Sequence, residues 1–320
     1  MSKILITGTT DFVGSNLLWQ LIGGGDEIHI LNRRTSNFWR IADLMGRVKN
    51  HEIDLLEGKK LSEVIQGIQP DYIFHLANAG VYGGVSSSDA DLVKVNLLGL
   101  VNLLEALEHI PYQGFINVGS SSEYGLKDGP MRESDICEPV NVYGITKLAA
   151  TCYASYWGRV KQKPVLTFRL FSPYGPFDDH RRLISRAILE SLAGHDLALA
   201  NPNAVRDYIF IDDVIDLFLE AKDMATAHAG EVFNVGTGKE HAIRDVVDAI
   251  ARAMKTNAKI EWGKAAAHAG EPPKWEADMT KTFAAFTWRP RHSLETGLGE
   301  AIRWFRENQT RYDQFLRQQP

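Results

Sequence analysis

Apolar residues along this chain alternate between short unbroken runs and longer stretches in which leucine recurs at helical spacing. Ile4-Leu-Ile-Thr7 is the first run, and Leu17, Leu18 and Leu21 mark the amphipathic helix after it. Glu27–Leu31, His51–Leu55 and Tyr72–Ala77 read as the second, third and fourth strands, with a helix predicted over Leu61–Gln69. A long helix is predicted over Asp91–Leu107, its apolar side formed by Leu98, Leu100, Leu103 and Leu104, before a fifth strand at Phe115–Val118. Pro164–Phe171 reads as a sixth strand, Ser172–Pro176 as a loop, and the stretch Trp288–Phe305 ends in a helix. Unbroken apolar strands separated by helices are the pattern of a parallel sheet covered on both faces.

The first strand leads into Gly8-Thr-Thr-Asp11-Phe12-Val13-Gly14. Strand, glycine turn and helix in that order form a cradle for a dinucleotide, with backbone N–H groups at the helix start facing the pyrophosphate. Asp11 stands where a glycine normally lets the phosphates come close, and it brings bulk and negative charge. After the second strand come Asn32, Arg33, Arg34, Thr35 and Ser36, where an NAD enzyme usually carries an acid for the ribose hydroxyls. Two guanidiniums can embrace a 2′-phosphate, so the expected cofactor is NADP(H) rather than NAD. Asp54 and Leu55 are placed to meet the adenine, and the small residues around Asn78, Ala77 and Ala79, let a dinucleotide pass close to the backbone. His75 is read as a satisfied core group.

A second concentration of chemistry runs from Gly119-Ser-Ser-Ser-Glu-Tyr-Gly to Tyr143-Gly-Ile-Thr-Lys147. Tyrosine and lysine four apart at a helix start share one face, so the ammonium can sit beside the phenol. Lowering a phenol by about three pH units from its free value takes roughly 4 kcal/mol, which one cation in a low-dielectric cleft can largely supply. Tyr143 then becomes a proton donor or acceptor. The serines at the end of the fifth strand offer three hydroxyls for the same substrate oxygen. Alone, such a Tyr/Lys pair is common on exposed helices; its weight comes from the cradle at the chain's start.

Composition narrows the partners. The chain has 320 residues and a net charge of −5, without a dense Lys/Arg block, which argues against nucleic acid. Two cysteines, Cys137 and Cys152, point to a reducing compartment rather than a disulfide framework. No apolar run approaches the length of a signal peptide or a membrane span, so a soluble, cytoplasmic protein is expected. No metal site is expected. Gly83–Ser88 is a short serine-rich loop and there is no internal repeat.

Thr7-Gly8…Gly14, His75-Leu-Ala77, Asn96-x-x-Gly99, the Ser120–Ser122 turn, Tyr143-x-x-x-Lys147 and Arg169-x-x-x-x-Tyr-Gly-Pro176 together resemble the extended short-chain dehydrogenase/reductases, in their nucleotide-sugar epimerase/dehydratase branch. The resemblance implies an α/β fold, a Rossmann-type doubly wound parallel sheet with a smaller C-terminal α/β substrate domain. Residues 1–170 and about 205–240 would hold the cofactor, and 171–204 with 241–320 the substrate. Glu231–Gly238 resembles the return strand and turn that closes the substrate domain.

A nucleoside-diphosphate sugar would lie with C4 near the nicotinamide, Tyr143 exchanging the proton on its oxygen, Lys147 holding the ribose and Ser121 orienting the oxygen. Counting back from Tyr124-Gly125 selects Ser120 instead, and both stay open. Asn96 is expected beside the cofactor. Ser122, Ser172, Arg182, Arg206 and Asp278 are the expected substrate contacts, although relatives commonly carry asparagine at Ser172 and a second arginine at His268. A homodimer through a four-helix interface of 91–107 and 142–156 is implied.

Reduction of a 4-keto-6-deoxy sugar, 4-epimerisation and 4,6-dehydration compete within the branch, and a catalytically silent NADP-binding protein is the rival outside it. Many dehydratases place an acid pair after the hydroxyl residue, where this chain has Ser122 and Glu123, the latter an expected catalytic group. Serine is a poor acid near neutral pH, so reduction is the first expectation, and an NADP(H) preference tilts further toward it, a tightly retained NAD being what a 4-epimerase of the branch commonly uses.

Overall fold

The computed structural model describes residues 1–82, 85–256, 258–264 and 274–317. His268 and Gly270-Glu271-Pro272 lie outside them, as do Gly83 and Gly84 of the expected serine-rich loop. Seven strands form the central sheet: β1 (Lys3–Thr7), β2 (Glu27–Asn32), β3 (Lys49–Glu52), β4 (Tyr72–His75), β5 (Gly114–Ser120), β6 (Val165–Leu170) and β7 (Val232–Val235). All pairings are parallel, in the order β7-β6-β5-β4-β1-β2-β3.

Period-two geometry explains the unbroken apolar runs. Ile4 and Ile6 face one core with Phe74, Ile116 and Phe168, while Leu5 faces the opposite core with Ile73, Phe115 and Val165. The helices α1 (Phe12–Leu21), α2 (Gly58–Ile68), α3 (Gly99–Ala106), α4 (Val142–Arg159) and α5 (Leu183–Ala193) follow in chain order. Ala150, Ala154 and Trp157 of α4 join the second core, and Leu17 and Leu18 of α1 the first.

A smaller C-terminal α/β lobe has a third core. Helix α6 (Ile211–Lys222) packs on the first core, whereas the third gathers α5, α7 (Ile243–Met254), α8 (Leu294–Glu307) and α9 (Gln309–Arg317) around short strands. Ile188, Val246, Leu298 and Phe305 are its centre. The expected loop Ser172–Pro176 contains a strand, Ser172–Tyr174, which pairs with Tyr208–Phe210. The third strand ends at Glu52, short of the expected Leu55, because Asp54 turns the chain by accepting from the Leu56 amide at 2.9 Å.

His75 is a core residue. Thr7 Oγ1 accepts from the Leu76 and Ala77 amides, each at 3.2 Å, so its proton goes to His75 Nδ1 at 2.9 Å and the ring proton sits on Nε2. Burial, then the charge of Lys147, hold the imidazole down at about 3. The unfolded chain therefore takes up a proton below its ordinary value near 6.5 that the folded chain refuses, and stability falls as pH drops from there toward 3. At the acid end the effect is on the order of 4 kcal/mol. In urea titrations, the stability deficit of His75→Gln relative to the native chain should shrink between pH 7 and 4.5; a gap independent of pH contradicts this.

Candidate active site

The end of β5 is locked into one shape. The chain passes from Ser120 into a single 3-10 turn, Ser121–Glu123. The Ser122 amide donates to Ser120 Oγ at 3.1 Å, and the Ser120 amide donates to Glu123 Oε1 at 2.8 Å, a reciprocal capping box. Thr151 donates its hydroxyl to the same Oε1 at 3.0 Å, and Arg169 Nε donates to Oε2 at 2.7 Å. The Arg169 guanidinium also lies 4.5 Å from the Tyr124 ring centre. Glu123 has no exposed surface. Expected as a catalytic group, it lies under the turn with both oxygens engaged. The two serines also separate: the Ser120 hydroxyl serves the cap, whereas Ser121 is buried and its hydroxyl makes no hydrogen bond to a described residue.

Helix α4 begins beside this turn. Asn141 caps it by accepting from the Gly144 amide at 2.8 Å. A side chain at 144 would stand 2.5 Å from the Ser122 carbonyl oxygen, so glycine here lets the helix start touch the serine turn. Tyr143 is half-buried and Lys147 buried. Lys147 Nζ donates to the Val118 carbonyl at 2.5 Å, and burial brings its ammonium down to about 8 against the opposing pull of Glu123.

The long helix expected over Asp91–Leu107 is interrupted by a π-helical turn, Lys94–Leu98. Its cause is Asn96, whose side chain turns inward, accepts from the Ala79 amide at 2.8 Å, and donates to the Ala79 carbonyl at 2.9 Å and Thr146 Oγ1 at 3.1 Å. Asn96 thus ties the fourth strand's exit to α4.

A cleft opens at the carboxyl ends of β1, β2 and β4, lined by Gly8, Asp11, Asn32, Arg33, Asp54, Leu55, Ala77 and Asn78 among others. Gly8 has φ +76°, and a side chain there would meet the Ala77 nitrogen at 2.5 Å. Asp11 precedes α1 but makes no capping hydrogen bond, which leaves the first-turn amides at Phe12, Val13 and Gly14 without a side-chain cap. Asn78 Oδ1 is buried with no hydrogen-bond partner among the described residues. Uncapped amides and an unpaired amide oxygen fit a phosphate and a polar ring edge, so this cleft suits a dinucleotide. Phe12 contributes only backbone, its ring being part of the core. Ala79 has its amide and carbonyl both held by Asn96.

The expected substrate contacts are more scattered. Ser172 pairs with Tyr208 across the strand pair, and Arg206 lies next to Asp207, with its guanidinium 4.6 Å from the Trp275 ring centre. Arg182 pairs with Asp178 at 2.9 Å and lies 5.5 Å from the Phe12 ring centre, close to the glycine turn. Asp278 is held by Arg132 at 3.0 Å and by the Thr280 amide at 2.9 Å. Three positioning residues escaped the sequence reading. Arg169 and Thr151 hold Glu123, and Asp207, fully buried, accepts from Thr237 and from the Gly238 and Ala277 amides. The acid after Arg206 was the available signal for the last.

The model of the NAD dependent epimerase/dehydratase family matches residues 4–236. The chain is 25% identical to dTDP-glucose 4,6-dehydratase of Xanthomonas campestris pv. campestris over 334 residues, 97% of this chain and 95% of that one. It is also 25% identical to GDP-6-deoxy-D-mannose reductase of Pseudomonas aeruginosa over 306 residues, 92% of this chain and 94% of that one. UDP-glucuronic acid 4-epimerase from Bacillus cereus, solved with UDP-glucuronic acid and NAD, matches with a TM-score of 0.85 at 26% identity, over 95% of this chain and 99% of that one.

These relatives overturn the expected preference for NADP(H), because the solved ones whose cofactor is named hold NAD. Arg33 and Arg34 are both exposed, and Arg33 lines the cleft.

Replacing Glu123 by Gln should lower stability by about 3 kcal/mol, because Arg169 would keep a buried charge without its partner. Urea denaturation checks this; a loss under about 0.5 kcal/mol would mean the pair is not the anchor described.

Proposed function

The chain belongs to the NAD dependent epimerase/dehydratase family, and from that premise we propose that it is an NAD-dependent enzyme acting at C4 of a nucleoside-diphosphate sugar without elimination. The observation that carries this reading is the burial of Glu123. Dehydration needs one group to protonate the departing C6 oxygen and another to take the C5 proton. Ser122 is a poor acid, and both oxygens of Glu123 are held by Arg169, Thr151 and the Ser120 amide.

NAD held by Gly8, the α1 amides and Asn78 would supply hydride-transfer chemistry beside Tyr143. The chain's own part is positional and acid–base. Tyr143 exchanges the proton of the C4 oxygen, Ser121 donates a hydrogen bond to that oxygen, and Lys147 supplies the neighbouring cation. Gly8, the α1 amides and Asn78 hold the dinucleotide, while Arg206 and Ser172 contact the diphosphate side of the sugar nucleotide.

Reduction of a 4-keto-6-deoxy sugar leaned on an NADP(H) preference and loses that support. Epimerisation at C4 with NAD retained becomes the first reading. Reduction stays second, favoured by the likeness to the Pseudomonas reductase across most of the chain. GDP-, CDP-, UDP- and dTDP-hexoses, and their 4-keto-6-deoxy forms, are to be offered separately. A C4 epimer formed without net cofactor change supports the first reading, and stoichiometric NADH consumption by a keto sugar supports the second. A 4-keto product from an intact hexose overturns both.

Tyr143→Phe should lose turnover about 100-fold or more while NAD binding changes less than about twofold. Near-normal single turnover in this variant would remove Tyr143 from the chemistry. Native turnover should fall as pH rises through about 8, where buried Lys147 gives up its proton.

A homodimer is the proposed assembly. Val93 and Leu98 on one side and Ile145 and Tyr156 of α4 on the other are exposed apolar residues of the two helices expected to pair. Light scattering at micromolar concentration should give twice the chain mass; a monomer contradicts it.

A further inference from the structure

Asp11 is the odd residue of the cradle: it puts a carboxylate where a diphosphate would lie. The chain holds an arginine beside it. Arg40 Nη1 donates to the carbonyl of Thr10, the residue immediately before Asp11, at 3.0 Å. Its Nε donates to the carbonyl of Phe177 at 2.8 Å, on the loop that leads from the Ser172–Tyr174 strand into the smaller lobe. The guanidinium is packed 4.5 Å from the Trp39 ring centre, which limits its freedom to swing away. A second tie runs in parallel, since Asn16 Nδ2 donates to the Phe12 carbonyl at 2.9 Å and the Pro176 carbonyl at 2.8 Å.

Phe177 itself is held in the left-handed region, with φ 63°, a conformation that a non-glycine residue keeps only where surroundings impose it. Its buried ring stacks edge-on against Trp304 at 4.6 Å.

We propose that Arg40 makes this turn fit for a diphosphate in spite of Asp11, by cancelling the aspartate's charge while fixing the turn against the Phe177 loop. The inference rests on the reading of the cleft as an NAD site. Burial by the surrounding protein raises the Asp11 carboxyl overall; of the nearby charges Arg40 pulls it down most, Arg33 less, and Asp179 opposes them. Asp179 is itself held by Arg181 at 2.6 and 2.8 Å.

A double-mutant cycle on the full chain tests this, with NAD binding measured by isothermal titration calorimetry. Arg40→Ala should weaken NAD binding by about tenfold or more in the native background, but less than about threefold in an Asp11→Gly background. Asp11→Gly alone should tighten binding, and Arg40→Lys should recover part of the loss by keeping the charge. Equal losses in both backgrounds, or weaker binding by Asp11→Gly, overturn the inference while leaving the NAD site in place. A native chain that binds no NAD overturns the reading of the cleft and this inference with it. Thermal melts accompany each variant; if Arg40→Ala unfolds at the assay temperature, Arg40→Gln takes its place in the cycle, with the same expected and overturning results.

Discussion

A buried ion pair, Glu123 with Arg169, is the interaction on which the catalytic side of this structure depends. A carboxylate without exposed surface is stable only when its charge and lone pairs are matched, and removing one partner leaves the other costly. Here the matches come from three elements: Arg169 from β6, Thr151 from α4, and the Ser120 amide from β5 itself. Arg169 stands opposite Gly119 in the β5–β6 register. One carboxylate therefore ties together the carboxyl ends of β5 and β6, the serine turn and the helix that carries Tyr143 and Lys147.

The cofactor side is organised differently, by neutral side chains that close backbone groups. Thr7 Oγ1 gathers two amides and His75 where β1 and β4 end, and Asn96 closes Ala79 and reaches Thr146 on α4. Asn96 achieves this at the expense of helical regularity, since its inward turn coincides with the π-helical interruption. In the smaller lobe Asp207 plays the corresponding part, collecting Thr237, Gly238 and Ala277 around one carboxylate. Dinucleotide cleft, serine turn and lobe are thus each held by a buried polar group whose partners come from distant segments.

The order of strands and helices, the glycine cradle and the pairing of Tyr143 with Lys147 on one helix were all legible in the residues. They depend on local rules: period-two and helical spacing, turn chemistry, and the geometry of neighbours four apart. Even the reading of His75 as a core group needed only its setting in an apolar run. What tertiary structure alone decided was the fate of charge. Glu123 read as a catalytic group from its place after the serines, and only the fold shows its carboxylate held by partners 28 and 46 residues away along the chain. Arg33 and Arg34 read as a phosphate clamp, yet the solved relatives whose cofactor is named hold NAD. Asp11 looked like a fault in the cradle until Arg40 was found on the neighbouring carbonyl. A side chain's apolar character acts through its own burial and so shows in spacing, whereas the work a charge does depends on which other charges the fold brings within a few ångströms of it.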